Sequence, residues 1–248
     1  MLKISAVILT HNNEDTLKKC LDSVSGVVDE IIVVDDNSTD GTRHILDNSD
    51  CRVYTRALED FSSQRNYGIS KALFEWILTI DSDEYLDEEL KLAVESLKRA
   101  KLEADCYIAR RFNRNFYGGT RVLLSRRPLL MRSTFRFRGE LHESVDYKSF
   151  DVLDGQIIHD CWKNLSDFVN DIDVYSTRKA KIWIDEGRSY WVPFLMIRQL
   201  TAFNFQIFYR LFIEMRVLYG CKAIIYCIFW ASEELLVGLK YLEMRNRK

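Results

Sequence analysis

The 248-residue sequence is 47% hydrophobic, 12% aromatic and 29% charged, which excludes a disordered tail, a collagen-like chain and a polytopic membrane protein. Its 35 Lys/Arg and 37 Asp/Glu nearly cancel, yet residues 1–97 carry 9 basic against 20 acidic side chains, 98–148 carry 13 against 5, and 163–248 carry 13 against 9. This asymmetry argues against a nucleic-acid partner and assigns any anionic ligand to particular segments. Six cysteines with no Cys-x-x-Cys pair read as reduced thiols of a cytosolic protein.

The first apolar run, Ile4–Leu9, is too short for a signal peptide and reads as a buried strand. Further runs at Ile31–Val34, Arg52–Tyr54 and Trp76–Ile80 alternate with helical spacing at Asp15–Val24, Thr39–Leu46 and Phe61–Phe74. Continuous Val/Ile/Leu strands separated by helices predict a three-layered α/β arrangement with parallel strands. Asp87–Ala100 follows as an amphipathic helix. Short basic and aromatic strands are expected at Cys106–Phe112, Arg121–Leu124, Leu129–Arg132, Phe135–Arg138 and Val152–Ile158, with Pro128 marking a turn between two of them. From Leu165 the chain reads as helices at Leu165–Glu186, Phe194–Tyr219 and Cys221–Arg245.

The last two helices are rich in aromatic and basic residues, but the longest apolar run, Ala223–Ser232, is bracketed by Lys222 and Glu233-Glu234 and is too short to span a bilayer. Two readings stay open: helices lying in a membrane interface, or a core packed on the first domain or on a second subunit. The expected organisation is a domain at 1–162, with halves at 1–100 and 101–162, followed by a helical, amphipathic part at 163–248.

The most informative motif is Asp81-Ser82-Asp83, directly after the strand Trp76–Ile80. Ligand crevices of open α/β sheets lie at the carboxyl ends of strands, and two adjacent carboxylates there call for a compensating cation. Mg²⁺ or Mn²⁺ suits such all-oxygen surroundings. The plain alternative is that Asp83-Glu84 cap the helix beginning near Asp87. Thr10-His11-Asn12-Asn13 and Asp35-Asp36-Asn37-Ser38-Thr39-Asp40-Gly41 converge on the same edge, and the glycines that define dinucleotide-binding and P-loop sites are absent.

Ile4–Asn13, Ile31–Gly41, Gln64-Arg65-Asn66, Trp76–Asp83 and Leu141-His142-Glu143-Ser144-Val145 together resemble a family 2 glycosyltransferase. More narrowly they are similar to the bacterial lipopolysaccharide-core β-glucosyltransferase branch. The resemblance implies a GT-A-type (Rossmann-like) mixed sheet flanked by helices with a helical C-terminal extension. It also implies a nucleotide-sugar donor, most readily a UDP-sugar, a saccharide or glycolipid acceptor, and inversion at the anomeric carbon. On that footing Thr10, Asn12 and Asp35 or Asp36 would hold base and ribose. Arg65 would face the crevice and pair with the diphosphate or base. Asp81 would reach the ribose or the metal, Asp83 would coordinate the divalent metal directly, and His142 and His159 are candidate further ligands.

Glu143 is expected as general base, with a salt bridge to Arg136 or Arg138 as its structural alternative. His11 and His44 are expected to be structural. Arg110, Arg111, Arg114, Arg121, Arg126 and Arg127 either meet a phosphorylated glycolipid or solvate an exposed strand surface. The expected setting is cytoplasmic and peripheral on the membrane, with a homo-oligomer through the C-terminal helices as a further possibility. Two competing readings are a catalytically silent nucleotide-binding scaffold and a nucleotidyltransferase, the latter lacking its Gly-rich loop after the first strand.

Overall fold

β1 (Ile4–Thr10) is buried along its whole length in the computed structural model, as a strand covered on both faces must be. Residues 1–115, 118–120, 126–139, 143–162, 164–213 and 216–247 are described. The expected strand Arg121–Leu124 lies outside them, and so does His142. After β1 come α1 (Leu17–Val24), β2 (Glu30–Asp35), α2 (Thr42–Asp47), β3 (Arg52–Thr55), α3 (Phe61–Ser70) and β4 (Trp76–Asp81). The four strands run parallel in the order β3-β2-β1-β4.

There follow β5 (Glu84–Leu86), α4 (Glu88–Leu97), β6 (Cys106–Asn115), β7 (Gly118–Thr120), β8 (Arg126–Arg132), the two-stranded pair β9 (Phe137–Arg138) and β10 (Ser144–Val145), and β11 (Phe150–Trp162). Beyond β4 the main sheet continues β8-β6-β11-β5, with β7 paired to β6. The β4–β8, β6–β8 and β11–β5 pairings are antiparallel. The sheet is therefore mixed and flanked by helices, as a GT-A-type arrangement requires.

Its two faces carry separate cores. Ile4, Ala6 and Ile8 pack with Leu17 and Leu21 of α1 and Leu90 and Val94 of α4. Val7, Ile32 and Ile77 pack with Ile69 of α3 on the other side. Gly68 lets α3 approach closely, since a Cβ there would lie 2.5 Å from Val7 Cγ1 and 3.1 Å from Val34 Cγ2.

Three local expectations change. Asp87, not Asp83-Glu84, caps α4, its Oδ1 accepting from the Leu90 N–H at 2.8 Å, because Glu84–Leu86 is itself a strand. Pro128 sits inside β8 rather than in a turn. It faces Ile108 at a register shift, while β4 pairs only with Leu130, Met131 and Arg132, so the missing N–H leaves no gap in the β4 ladder. The helix expected through Phe74 ends at Ser70.

The chain forms two compact units, Met1–Asn113 with Leu124–Cys161, and Arg114–Leu123 with Trp162–Lys248. The second contains α5 (Leu165–Asp185), α6 (Val192–Phe208), a π-helical stretch Tyr209–Ile213, a 3₁₀ turn Arg216–Tyr219 and α7 (Cys221–Asn246). The single helix expected over Phe194–Tyr219 is thus broken at Phe208. α7 is the centre of this unit. Its Val237 and Tyr241 pack with Ala180 and Trp183 of α5 and Leu195 of α6, and its Tyr226 and Cys227 pack with Phe168 and Ile172 of α5. Among the described residues no helix is long and apolar enough to cross a membrane.

Candidate active site

Parallel register sets the site. Thr10 lies opposite Asp35 and Leu9 opposite Asp81, so β1, β2 and β4 deliver their polar terminal residues to one edge. The loops after β1 and β2 are tied to each other. The Asn12 N–H donates to Ser38 Oγ at 2.9 Å and Asn12 Oδ1 accepts from the Thr39 N–H at 2.8 Å. Asn12 and Asn37 both adopt positive φ, 50° and 51°, a conformation that asparagine tolerates better than most residues.

Asp35 is buried and accepts from the Ser38 hydroxyl at 2.5 Å. Asp36 Oδ1 accepts from the Leu58 N–H at 2.9 Å, and His11 Nδ1 donates to the Asp36 carbonyl at 2.6 Å. Thr10, Asn12, Asp35 and Asp36 therefore share one edge. Most of their polar atoms shape the loops, while the buried Thr10 hydroxyl has no partner among the described residues.

Arg65 is delivered by α3, whose N-terminus is capped by Asp60 Oδ1 accepting from the Ser63 N–H at 2.7 Å. The residues beside it fasten that helix. Gln64 Nε2 donates to the Arg56 carbonyl at 2.7 Å. Asn66 exchanges two 2.9 Å hydrogen bonds with the Phe137 backbone in β9, bringing β9 and β10 against α3. Arg65 does not face an open crevice as expected. It is 1% exposed and clasps Glu143 through Nε (3.0 Å) and a terminal nitrogen (2.8 Å), the latter also donating to Asp81 Oδ1 at 2.8 Å. Its other terminal nitrogen is buried without a partner among the described residues.

Glu143 therefore pairs with Arg65 rather than with Arg136 or Arg138. Arg138 reaches Asp146 at 3.0 Å, and Arg136 donates to the Ser133 and Phe135 carbonyls.

Arg127 closes the cluster from β8. Its guanidinium donates to Asp81 Oδ2 at 2.8 Å and to Glu84 Oε2 at 2.6 Å. The fully buried Glu84 also meets Arg111 Nε at 2.6 Å and accepts from the Asp81 N–H at 3.1 Å. Three carboxylates and three guanidinium groups thus alternate, as buried charges must. Burial alone would raise the Asp81 pKa, but Arg65, then Arg127 and Arg111, hold it well below the usual carboxylate range. Arg111 and Arg127 consequently do not solvate a strand surface, whereas Arg110 and Arg126 are exposed.

Antiparallel register brings His159 of β11 opposite Glu84 of β5, and the Asp160 N–H donates to the Asp83 carbonyl at 2.9 Å. His159 Nε2 lies 3.0 Å from Asp83 Oδ2. Its Nδ1 lies 3.0 Å from Asn113 Oδ1 and 2.9 Å from Cys161 Sγ. Burial opposes a charge on this ring, yet the Asp83 carboxylate beside it pushes its pKa up to about 10.

The geometry thus forms two groups, Arg65–Asp81–Glu143 and Asp83–His159. Among the described residues no three His, Cys, Asp or Glu side chains are placed to enclose a metal. Asp83 and His159 are a carboxylate and an imidazole, groups of the kinds that could grip a divalent ion, and here they bond to each other. Both Asp81 oxygens are occupied by arginines, which separates it from that pair.

Residues 5–163 match the family model described as Glycosyl transferase family 2. The chain belongs to that family. It is 27% identical over 267 residues to an uncharacterized glycosyltransferase of Rickettsia typhi (strain ATCC VR-144 / Wilmington), covering 100% of this chain and 90% of that protein. A second uncharacterized glycosyltransferase, from Rickettsia prowazekii (strain Madrid E), is 28% identical over 206 residues, covering 76% and 70% respectively. Among solved structures, S. aureus TarS 1-349 in complex with UDP is similar over 100% of this chain and 92% of that one, at 17% identity and a TM-score of 0.49.

The buried ion-pair cluster contains three residues that sequence reasoning did not assign to it. Glu84 was visible only as the neighbour of Asp83. Arg111 and Arg127 looked like members of a basic run, and only their inward strand positions would have separated them from Arg110 and Arg126.

Proposed function

We propose that this glycosyltransferase moves a hexose from a nucleotide-sugar, a UDP-sugar in the first instance, to a saccharide or glycolipid acceptor with inversion. The acceptor chemistry suits cell-surface polysaccharide or lipopolysaccharide synthesis at the cytoplasmic face of the membrane. The observation that carries this reading is the convergence of Thr10, Asp35, Asp81 and Asp83 at one sheet edge with Arg65 and Glu143 on the elements beside it.

In this reading the Thr10 hydroxyl, Asn12, Asp35 and Asp36 receive the nucleoside. Asp83 and His159 would hold a divalent Mn²⁺ or Mg²⁺, a group whose charge would neutralise the leaving diphosphate. His159 would have to be neutral to ligate, giving up the proton that Asp83 holds on it. Arg65 offers its unpaired nitrogen to the same diphosphate. Glu143 takes the proton of the acceptor hydroxyl as that oxygen bonds to the anomeric carbon and the bond to phosphate breaks. Both Glu143 oxygens are occupied by Arg65, so the base is released only when Arg65 turns towards the donor.

A catalytically silent nucleotide-binding scaffold is the second reading, and this same clasp favours it. The two separate on Glu143→Gln, assayed for transfer and donor binding. A catalytic base predicts donor binding retained and transfer reduced by about 10²–10⁴. Unchanged turnover removes Glu143 from the chemistry, and no transfer by the parent from any nucleotide-sugar supports the scaffold.

A further inference from the structure

α6 is held to its own unit along one side only. Leu195 is buried in the cluster with Trp183 and Tyr241, and Gln199 is buried against α7, its amide donating to the Glu234 carbonyl. Gly238 permits that approach, since a Cβ there would lie 2.7 Å from Gln199 Cγ. The opposite side is apolar and uncovered. Phe194, Ile197, Phe205 and Phe208 recur at helical spacing, Trp191 precedes them and Phe212 extends the row into the π-helical stretch. All six are between 53% and 76% exposed.

Such side chains present on the order of several hundred Å² of apolar surface, a patch of the size that marks an interaction site. Charge separates the possible occupants. Arg188 pairs with Glu186, while Arg198 and Arg210 lie over the Trp183 and Trp230 rings, and residues 163–248 as a whole carry 13 basic against 9 acidic side chains. Two copies of this net-cationic segment repel each other, whereas an anionic lipid surface complements it. At 17 residues with Arg198, Gln199, Asn204 and Gln206 along its length, α6 is too short and too polar to cross a bilayer and suits only a place on its surface.

We infer that the aromatic face of α6 and the following π-helical stretch docks in the headgroup region of an anionic membrane, with Trp191 and the phenylalanines entering the acyl boundary. α5 and α7 supply the packed base from which this face projects. The inference uses no assignment at the sheet edge, and its test requires no turnover.

The full chain is sedimented with vesicles of phosphatidylglycerol and phosphatidylethanolamine, and with vesicles of phosphatidylcholine alone. It is expected to sediment with the anionic vesicles and to remain largely in solution with the zwitterionic ones. Phe205→Glu/Phe208→Glu, at exposed positions that leave the packed side of α6 intact, is expected to lower the partition coefficient about tenfold or more. Circular dichroism of the double variant should match the parent. Brominated acyl chains should quench the tryptophan emission of the parent, and Trp191→Phe should remove that quenching.

Parent protein that stays in the supernatant with anionic vesicles overturns the inference, as does a double variant that sediments like the parent. A dimer by light scattering that the double variant abolishes, without lipid uptake by the parent, reassigns the face to a second copy. Loss of donor binding leaves the lipid result unaffected, so the two readings fail separately.

Discussion

At the sheet edge, charged side chains are buried, while on α6 large apolar ones are exposed. Arg65 and Glu84 are among the least accessible residues of the first unit, whereas Phe194, Phe205 and Phe208 stand more than half in solvent. Both regions invert the ordinary partition of residue types, and each inversion has a different remedy. The buried charges are satisfied inside the protein by ion pairs of 2.6–2.8 Å. The apolar face of α6 has no such internal remedy and is satisfied only from outside. A buried charge cluster is therefore coupled to folding, and an uncovered apolar face is not.

That contrast predicts a graded set of effects. Arg65→Met keeps much of the side-chain volume but leaves Asp81 and Glu143 without their shared cation. Urea denaturation is expected to show a loss of about 3–5 kcal/mol, the usual result of breaking a buried ion pair by removing one partner. A loss under about 1 kcal/mol would mean that the cluster is solvated and would break the comparison.

A smaller effect concerns His159 in protein stripped of metal with a chelator. Its folded pKa, about 10, exceeds the ordinary 6.5. The stabilisation it contributes is full below about pH 6.5, declines above it and is lost as pH rises through about 10. Stability measured across that window should fall for the parent and fall less steeply for Asp83→Asn. Identical slopes would show that Asp83 does not hold the proton on His159. The smallest effect belongs to the other region. Phe205→Glu/Phe208→Glu should change unfolding stability by no more than about 0.5 kcal/mol per site. A larger loss would show that this face packs within the folded chain.

The same contrast explains what the sequence disclosed. β1, β2 and β4 were legible because strands covered on both faces read as unbroken apolar runs, and their polar ends gave the sheet edge directly. α3 was legible in its start but not its end, since Lys71 to Phe74 keep an apolar spacing that the chain uses outside the helix. Pro128 was misplaced because its tolerance depends on a register shift against β6, which no local pattern announces. The Glu84–Arg127 pair was hidden for a similar reason, since it joins residues 43 apart on β5 and β8, strands that are not neighbours in the sheet. Glu143 was expected as general base with Arg136 or Arg138 as its alternative partners, and the structure pairs it instead with Arg65 of α3. In the second unit, composition alone could not separate α7, which forms the core, from α6, which leaves its face outside.

The central claim is that Asp83 anchors a divalent ion through which a nucleoside diphosphate is held. Titration calorimetry of UDP into the parent and into Asp83→Ala, each with and without Mn²⁺, tests it most directly. The account predicts metal-dependent heat of binding for the parent and none for the variant, with the far-ultraviolet spectrum unchanged. Binding of UDP by Asp83→Ala with the same affinity and the same response to Mn²⁺ would contradict it.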